Sequence, residues 1–154
     1  MRRTPEAILR DAGIPFAVHE HTPVATVAEI LVALPFSAEE HVKTLAVTAD
    51  GRVALAALRG SDRLQYGRLA RALGVGRDRV EPLSPERVRE ELGLEPGGVC
   101  PLVDRDDVTV LVDRRVLDLT RVFCGSGRND ATLELSPADL VAASHATVTD
   151  LAAD

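Results

Sequence analysis

Apolar and polar residues change their spacing several times along this chain, and each change predicts a change of secondary structure. Thr4-Pro5 offers an N-cap and a first-turn proline, Ile8, Leu9 and Ala12 follow on one helical face, and Gly13 stops the helix. From Phe16 to His21 the pattern shortens to alternation, with Phe16 and Val18 on one side of a strand and His19 and His21 on the other. Thr26-Val27-Ala28-Glu29 is a capping box that launches a second helix toward Leu34, and Pro35 ends it. A β-hairpin comes next. Its arms are Val42 to Thr48 and Arg52 to Leu58, and Asp50-Gly51 suits a turn that needs positive φ at both central residues. Lys43, Leu45 and Val47 share a face of the first arm, so the lysine ends a row pointing into the core and its ammonium must reach a polar cavity or a partner.

Beyond the hairpin, Asp62 is placed to cap a helix running through Leu73 to Gly74, and Ser84-Pro85-Glu86 starts another to about Leu92. Glu95 to Pro101 is a loop with two prolines flanking a Gly pair. Thr109 to Val112, Val122 to Cys124 and Thr132 to Leu135 are strand-like runs, the last after the turn Gly125 to Asp130. Ser136-Pro137-Ala138-Asp139 caps a last helix, and the tail through Asp154 is expected to be helical in part. Strands interrupted by helices at uneven intervals, with one clear hairpin, favour a mixed α+β sheet over regular βαβ winding. With no repeat or linker, residues 1–154 are expected to form one domain.

Composition narrows the class. No apolar stretch approaches the roughly 18 residues of a membrane helix, and the N-terminal residues lack a secretory apolar core, so a cytoplasmic protein without a membrane role is expected. Cys100 and Cys124 read as free thiols. The net charge of −6 argues against non-specific coating of nucleic acid. Between Arg59 and Arg79, however, six arginines face two aspartates, a local basic stretch able to hold a short piece of polyanion.

Of the 18 Lys and Arg residues only Lys43 is a lysine. Arginine is a planar, always-charged fork, whereas lysine is a compact point charge on a flexible stem that can sit at the edge of a small pocket, which makes Lys43 the first candidate for chemistry. A lysine snorkelling from a strand end is the other reading. His19, His21 and His41 lack the spacing of a metal site, and no cofactor motif is present: Gly97-Gly98 lies outside both phosphate-loop spacings. Glycine there and at Gly125-Ser126-Gly127 still lets main chain approach a ligand, or simply makes a tight turn. Nothing sets a base beside Cys100, so a buried structural thiol is favoured over a nucleophile.

Taken in order, these stretches resemble the YbaK/EbsC family of aminoacyl-tRNA deacylases, related to the editing insertion domain of bacterial prolyl-tRNA synthetases. The matching residues are His19 to Pro23, Thr26 to Glu29, Val42-Lys43-Thr44-Leu45, Leu69 to Gly74, Gly97 to Leu102, Gly125-Ser126-Gly127 and Leu133 to Leu140. The resemblance implies a twisted mixed sheet closing toward a barrel and packed by helices, with the Lys43 strand and both glycine loops lining one pocket. It implies hydrolysis of the ester joining a wrong amino acid to the terminal ribose of a tRNA, alanine or cysteine on a proline tRNA being the expected type. No metal or cofactor is implied. The partners implied are the misacylated acceptor end and a prolyl-tRNA synthetase. On this reading Lys43 is catalytic, and His21, Thr44, Gly97, Gly98, Val99, Cys100, Pro101, Gly125, Ser126, Gly127 and Asp130 bind substrate. The alternative is a non-catalytic module that uses the same pocket for an aminoacyl or nucleotide ligand, or that docks on a synthetase.

Overall fold

Backbone pairing gathers the strands into one mixed sheet. The computed structural model describes residues 2–24, 28–29, 32 and 36–154. Its strands are β1 (Ala17–Glu20), β2 (His41–Ala49), β3 (Arg52–Arg59), β4 (Val80–Pro82), β5 (Thr109–Asp113), β6 (Val122–Gly125), β7 (Ala131–Leu135) and β8 (Thr147–Thr149). Among the described residues the helices are α1 (Pro5–Asp11), α2 (Tyr66–Leu73), α3 (Pro85–Arg87) and α4 (Pro137–Ser144). The sheet runs β1-β7-β6-β2-β3-β5-β8, with β4 added to β2. Pairs β2/β6, β3/β5 and β5/β8 are parallel and the others antiparallel, the mixed α+β class read from the sequence.

The expected closure toward a barrel is not observed, because β1 and β8 end the sheet without pairing to each other. β2 explains why. From Val42 to Ala49 one edge pairs with β3, but the other edge meets β6 only at His41 and Val42 and β4 only from Val47 to Ala49. The sheet forks there instead of curling, and β8, three residues long, offers too short an edge to complete a ring. Between the two branches, residues 43–46 have no strand partner on that edge among the described residues, where the Leu83 N–H donates to the Ala46 carbonyl at 2.9 Å.

Local chemistry sets most boundaries. Thr4 Oγ1 accepts from the Ala7 N–H and Ser136 Oγ from the Asp139 N–H, so α1 and α4 both begin on a cap followed by proline. The hairpin turn has φ 50° at Asp50 and 79° at Gly51, both in the left-handed region such a turn requires. Gly74, φ 72°, ends α2. Three expectations need correction. Gln65, not Asp62, caps α2, since the Asp62 carboxylate is engaged by arginines. The tail after α4 is extended rather than helical: Thr147-Val148-Thr149 is β-branched and pairs with β5. Helix α3 covers one turn before passing into a π turn, Val88–Leu92. The helix expected from Thr26 to Leu34 lies largely outside the described residues.

Six consecutive residues of β3, Val53 to Leu58, are buried, so the centre of the sheet is covered on both faces. On one face Val42, Leu55, Ala57, Val112, Cys124 and Leu133 pack beneath α1, α4 and the chain around Leu92 and Leu102. On the other, Val47, Ala56 and Leu58 pack against Leu69 and Ala70 of α2 and against Leu151. No helix among the described residues is long and apolar enough to cross a membrane.

Candidate active site

Strand alternation sorts the polar side chains. Lys43 is paired with Leu58, on the face covered by α2, and register carries that face outward through Phe123, Thr132 and His19. Over β6, β7 and β1 it is polar rather than apolar. His19 Nε2 bonds Glu134 Oε1 at 2.7 Å, and Phe36 stacks on Phe123 (4.2 Å between centroids) and on His41 (5.8 Å).

Lys43 lies where this polar half begins, half-buried, with Nζ donating to the carbonyl of Gly60 at 3.4 Å and to that of Asp62. An ammonium has three donors, so one remains for a ligand after these two. Burial pulls its pKa down and the Asp62 charge works against that shift. Asp62 is itself fixed: Arg59 Nε and Nη2 donate to its carboxylate at 2.8 and 3.1 Å, and Arg115 Nη1 approaches at 3.5 Å. The bonds to Arg59 hold the Asp62 carboxyl below the usual carboxylate range. The carbonyl of Asp62 thus anchors the lysine while its carboxylate is anchored from outside. Neither Gly60 nor Asp62 reads as a site residue in the sequence, where Asp62 reads only as a helix cap; the hairpin register, which returns the end of β3 beside Lys43, is the signal that points to them.

The parallel pairing of β2 and β6 stops at Val42↔Cys124, one residue before Lys43 and Gly125, so those two come side by side where the ladder ends. There the two glycine loops are laced together. The Gly127 N–H donates to Gly98 O at 2.8 Å, the Glu95 N–H donates to Gly127 O at 2.9 Å, and a Cβ on Gly125 would stand 2.6 Å from the carbonyl carbon of Gly98. The first use of Gly98 and Gly125 is therefore to let two main chains touch. Main-chain N–H and C=O groups alternate along β2, and Ala46 turns its carbonyl to the open edge, so Thr44 presents its peptide there too, beside Gly125.

The remaining predicted residues divide. His21 Nδ1 donates to Thr22 O at 2.8 Å, its Nε2 hydrogen-bonds with Thr132 Oγ1 at 2.9 Å, and Thr132 stands opposite Gly125. His21 and Thr132 therefore join the Lys43 face; Thr132 had not been singled out. Ser126 is buried and spends its hydroxyl on Ala131 O at 2.7 Å inside the turn. Asp130 is exposed, pairs with Arg128 at 3.3 Å and accepts the His21 N–H on its carbonyl. The Thr44 side chain points to the opposite face from Lys43, its hydroxyl buried and unpartnered. Cys100 lies in the core beside Val42 and Leu102, and burial pushes its thiol up to about 12, the reverse of what a nucleophilic thiolate needs. Gly97 (φ 88°), Val99 and Pro101 complete that loop. Among the described residues no three His, Cys, Asp or Glu side chains are grouped to hold a metal.

His41 is 4% exposed, and its Nδ1 has no hydrogen-bond partner. Burial first, then the Lys43 charge, push its pKa down to about 4. A free imidazole titrates near 6.5, so below that pH the unfolded chain binds a proton that the folded chain refuses. The stabilisation is complete above pH 6.5 and is lost as pH falls toward 4. Denaturant titrations across that window should show a loss on the order of 2–3 kcal/mol from this residue, and His41→Phe should flatten the profile. An unchanged slope in the variant would mean that His41 is accessible to protons in the native state.

Comparison with known proteins bears on this arrangement. Residues 21–143 match the family model described as the aminoacyl-tRNA editing domain. The proline–tRNA ligase of Streptococcus gordonii is 32% identical over 104 residues, 68% of this chain and 17% of the ligase. The chain thus spans less than a fifth of the curated relatives it matches. Among solved structures, a hypothetical protein superposes with a TM-score of 0.86 at 32% identity, covering 96% of this chain and 98% of its own. A candidate trans-editing enzyme for prolyl-tRNA synthetase superposes with a TM-score of 0.82 at 26% identity, covering 97% of this chain and 94% of its own.

Proposed function

The chain belongs to the aminoacyl-tRNA editing domain family, and from that premise we propose that it is an aminoacyl-tRNA deacylase that acts in trans, as one domain, on proline tRNA carrying alanine or cysteine. The observation that carries the site assignment is the Lys43 ammonium, held by two carbonyls at the point where the β2/β6 ladder ends against the laced glycine loops.

An aminoacyl ester is already activated, so the protein has to place it and meet the charge that builds on its carbonyl oxygen as water attacks. In the proposed arrangement the terminal ester enters beside the open edge of β2. The free N–H of Lys43 and the edge-facing peptide N–H of Thr44 meet the developing oxyanion. The main chain of Gly97 to Pro101 walls the amino-acid pocket with Gly125 to Gly127, and His21, fixed by Thr132, and Asp130 border it. A prolyl-tRNA synthetase is the proposed supplier of the substrate, and the work is placed in the compartment of translation.

The experiment is a deacylation panel. Transfer RNAs charged with alanine, cysteine, serine, threonine or proline are incubated with the protein, and loss of the charged form is followed. Alanyl or cysteinyl proline tRNA should be cleared and prolyl tRNA spared. A group about the size of a methylene, such as the thiol that separates cysteine from alanine, is worth only about 1–3 kcal/mol in such a pocket, so the two should differ by about 200-fold at most. Binding of charged tRNA without hydrolysis of any member would replace the deacylase reading with that of a binding module.

A further inference from the structure

A cavity lies behind the Lys43 anchor, between α2 and the last residues of the chain. It encloses about 600 Å³, within the range of ligand sites, and is walled by Arg68, Arg71, Arg115, Asp113, Asp150 and Asp154. We propose that it is a phosphate subsite for the acceptor strand of the RNA, an inference that rests on the deacylase reading above.

Sequence order and geometry both contribute. Arg68 and Arg71 are three apart on α2 and so project to the same side, while Arg115 comes from the 3₁₀ turn after β5. The acidic wall residues do not cancel them equally. Asp113 is buried, and its carboxylate accepts from the backbone N–H groups of Leu151 (2.7 Å), Ala152 (2.9 Å) and Arg115 (3.0 Å). Asp150 pairs outward with Arg114 at 3.2 Å. Asp154 holds Arg68 at 3.1 Å, but its side chain is 88% exposed, and such a solvated carboxylate is a weak occupant. A phosphodiester presents two oxygens to the same guanidinium fork and can displace it. Arg71 has no ion-pair partner among the described residues.

Three of the other four arginines of the basic run are committed elsewhere: Arg59 to Asp62, Arg77 over the Tyr66 ring at 4.6 Å, and Arg79 to Asp50 at 3.6 Å. The fold thus divides the run and turns Arg68 and Arg71 toward the cavity. Asp62 joins the cavity to the ester site, for its carboxylate meets Arg115 and its carbonyl holds Lys43. A strand whose terminal ester lies at Lys43 would cross Asp62 and lay its preceding phosphates on the three guanidiniums.

The test compares two esters of the same amino acid, one on an RNA hairpin with a single-stranded CCA end and one on adenosine alone. Arg71 is exposed, so Arg71→Glu should fold normally. It should raise KM for the charged hairpin about tenfold with kcat retained, and change KM for the adenosine ester less than about twofold. Arg71→Gln should lower the salt slope of hairpin binding by about one. An unchanged hairpin KM, an equal change for both esters, or the same effect from Arg52→Glu at the hairpin tip would overturn the subsite. Anisotropy with the uncharged hairpin keeps the two readings apart. If the wild type hydrolyses neither ester, the deacylase reading fails, and the subsite is upheld only if Arg71→Glu still weakens the uncharged hairpin about tenfold.

Discussion

Lys43→Ala should lower the deacylation rate by about 100- to 1000-fold, the loss that follows removal of one well-aimed donor to an oxyanion, while the fold survives. The physical basis is the division of labour at Nζ. Two donors are used on the carbonyls of Gly60 and Asp62, which fix the position of the charge, and the third is left for the reacting oxygen. Truncation frees two carbonyls at a half-buried position that water can reach, so the thermal midpoint should move little. Lys43→Arg keeps the charge but replaces a compact ammonium with a planar fork that cannot share the same two carbonyls, and it should stay nearly as slow as alanine. Asp62→Asn offers the complementary result: the anchoring carbonyl remains, so activity should be largely retained even as the pair with Arg59 is lost. Single-turnover hydrolysis of charged tRNA with each variant measures these effects. Full activity in Lys43→Ala would remove the lysine from the mechanism, and full activity in Lys43→Arg would reduce it to a charge contact.

What could be read along the chain was what period and local chemistry control. The hairpin, its Asp50-Gly51 turn and the face shared by Lys43, Leu45 and Val47 follow from alternation and from φ preference, and all three are observed. The solitary lysine stands out in the sequence because its neighbours are apolar, and it lies on β2 as the alternation places it. The anchor was not legible. Gly60 and Asp62 reach Lys43 only through the full register of β3 on β2, and a local reading of Asp62 makes it a helix cap, whereas Arg59 and Arg115 take its carboxylate and α2 starts three residues beyond the expected cap, at Gln65. Strand β4 and the last strand were missed for a related reason. Three-residue segments such as Val80–Pro82 and Thr147–Thr149 have too little pattern of their own and are extended because a neighbouring strand offers partners.

The glycine loops show the same limit and lead to the other large effect. From sequence, Gly97-Gly98 and Gly125-Ser126-Gly127 are two turns with mobile backbone choices; in the fold each is the other's wall. Gly98→Ala should therefore destabilise the protein by at least about 3 kcal/mol and lower its melting temperature by on the order of 10 °C. The added Cβ would stand 2.6 Å from the Arg128 carbonyl carbon and 2.7 Å from its nitrogen, and these are main-chain atoms that no side-chain rotation can move aside. Relief would require opening the Gly127 N–H to Gly98 O bond, which also frees the end of β6 beside Lys43. Activity should then fall more than the folded fraction does, because the loop that positions the ester shifts with the clash. Gly13→Ala is the control: its φ of 70° is strained for alanine but nothing lies within 4 Å of the new carbon, so about 1–2 kcal/mol and no loss of specific activity are expected. Equal melting temperatures for wild type and Gly98→Ala would mean that the two loops do not touch in solution, and the pocket they are proposed to form with Lys43 would have no back wall.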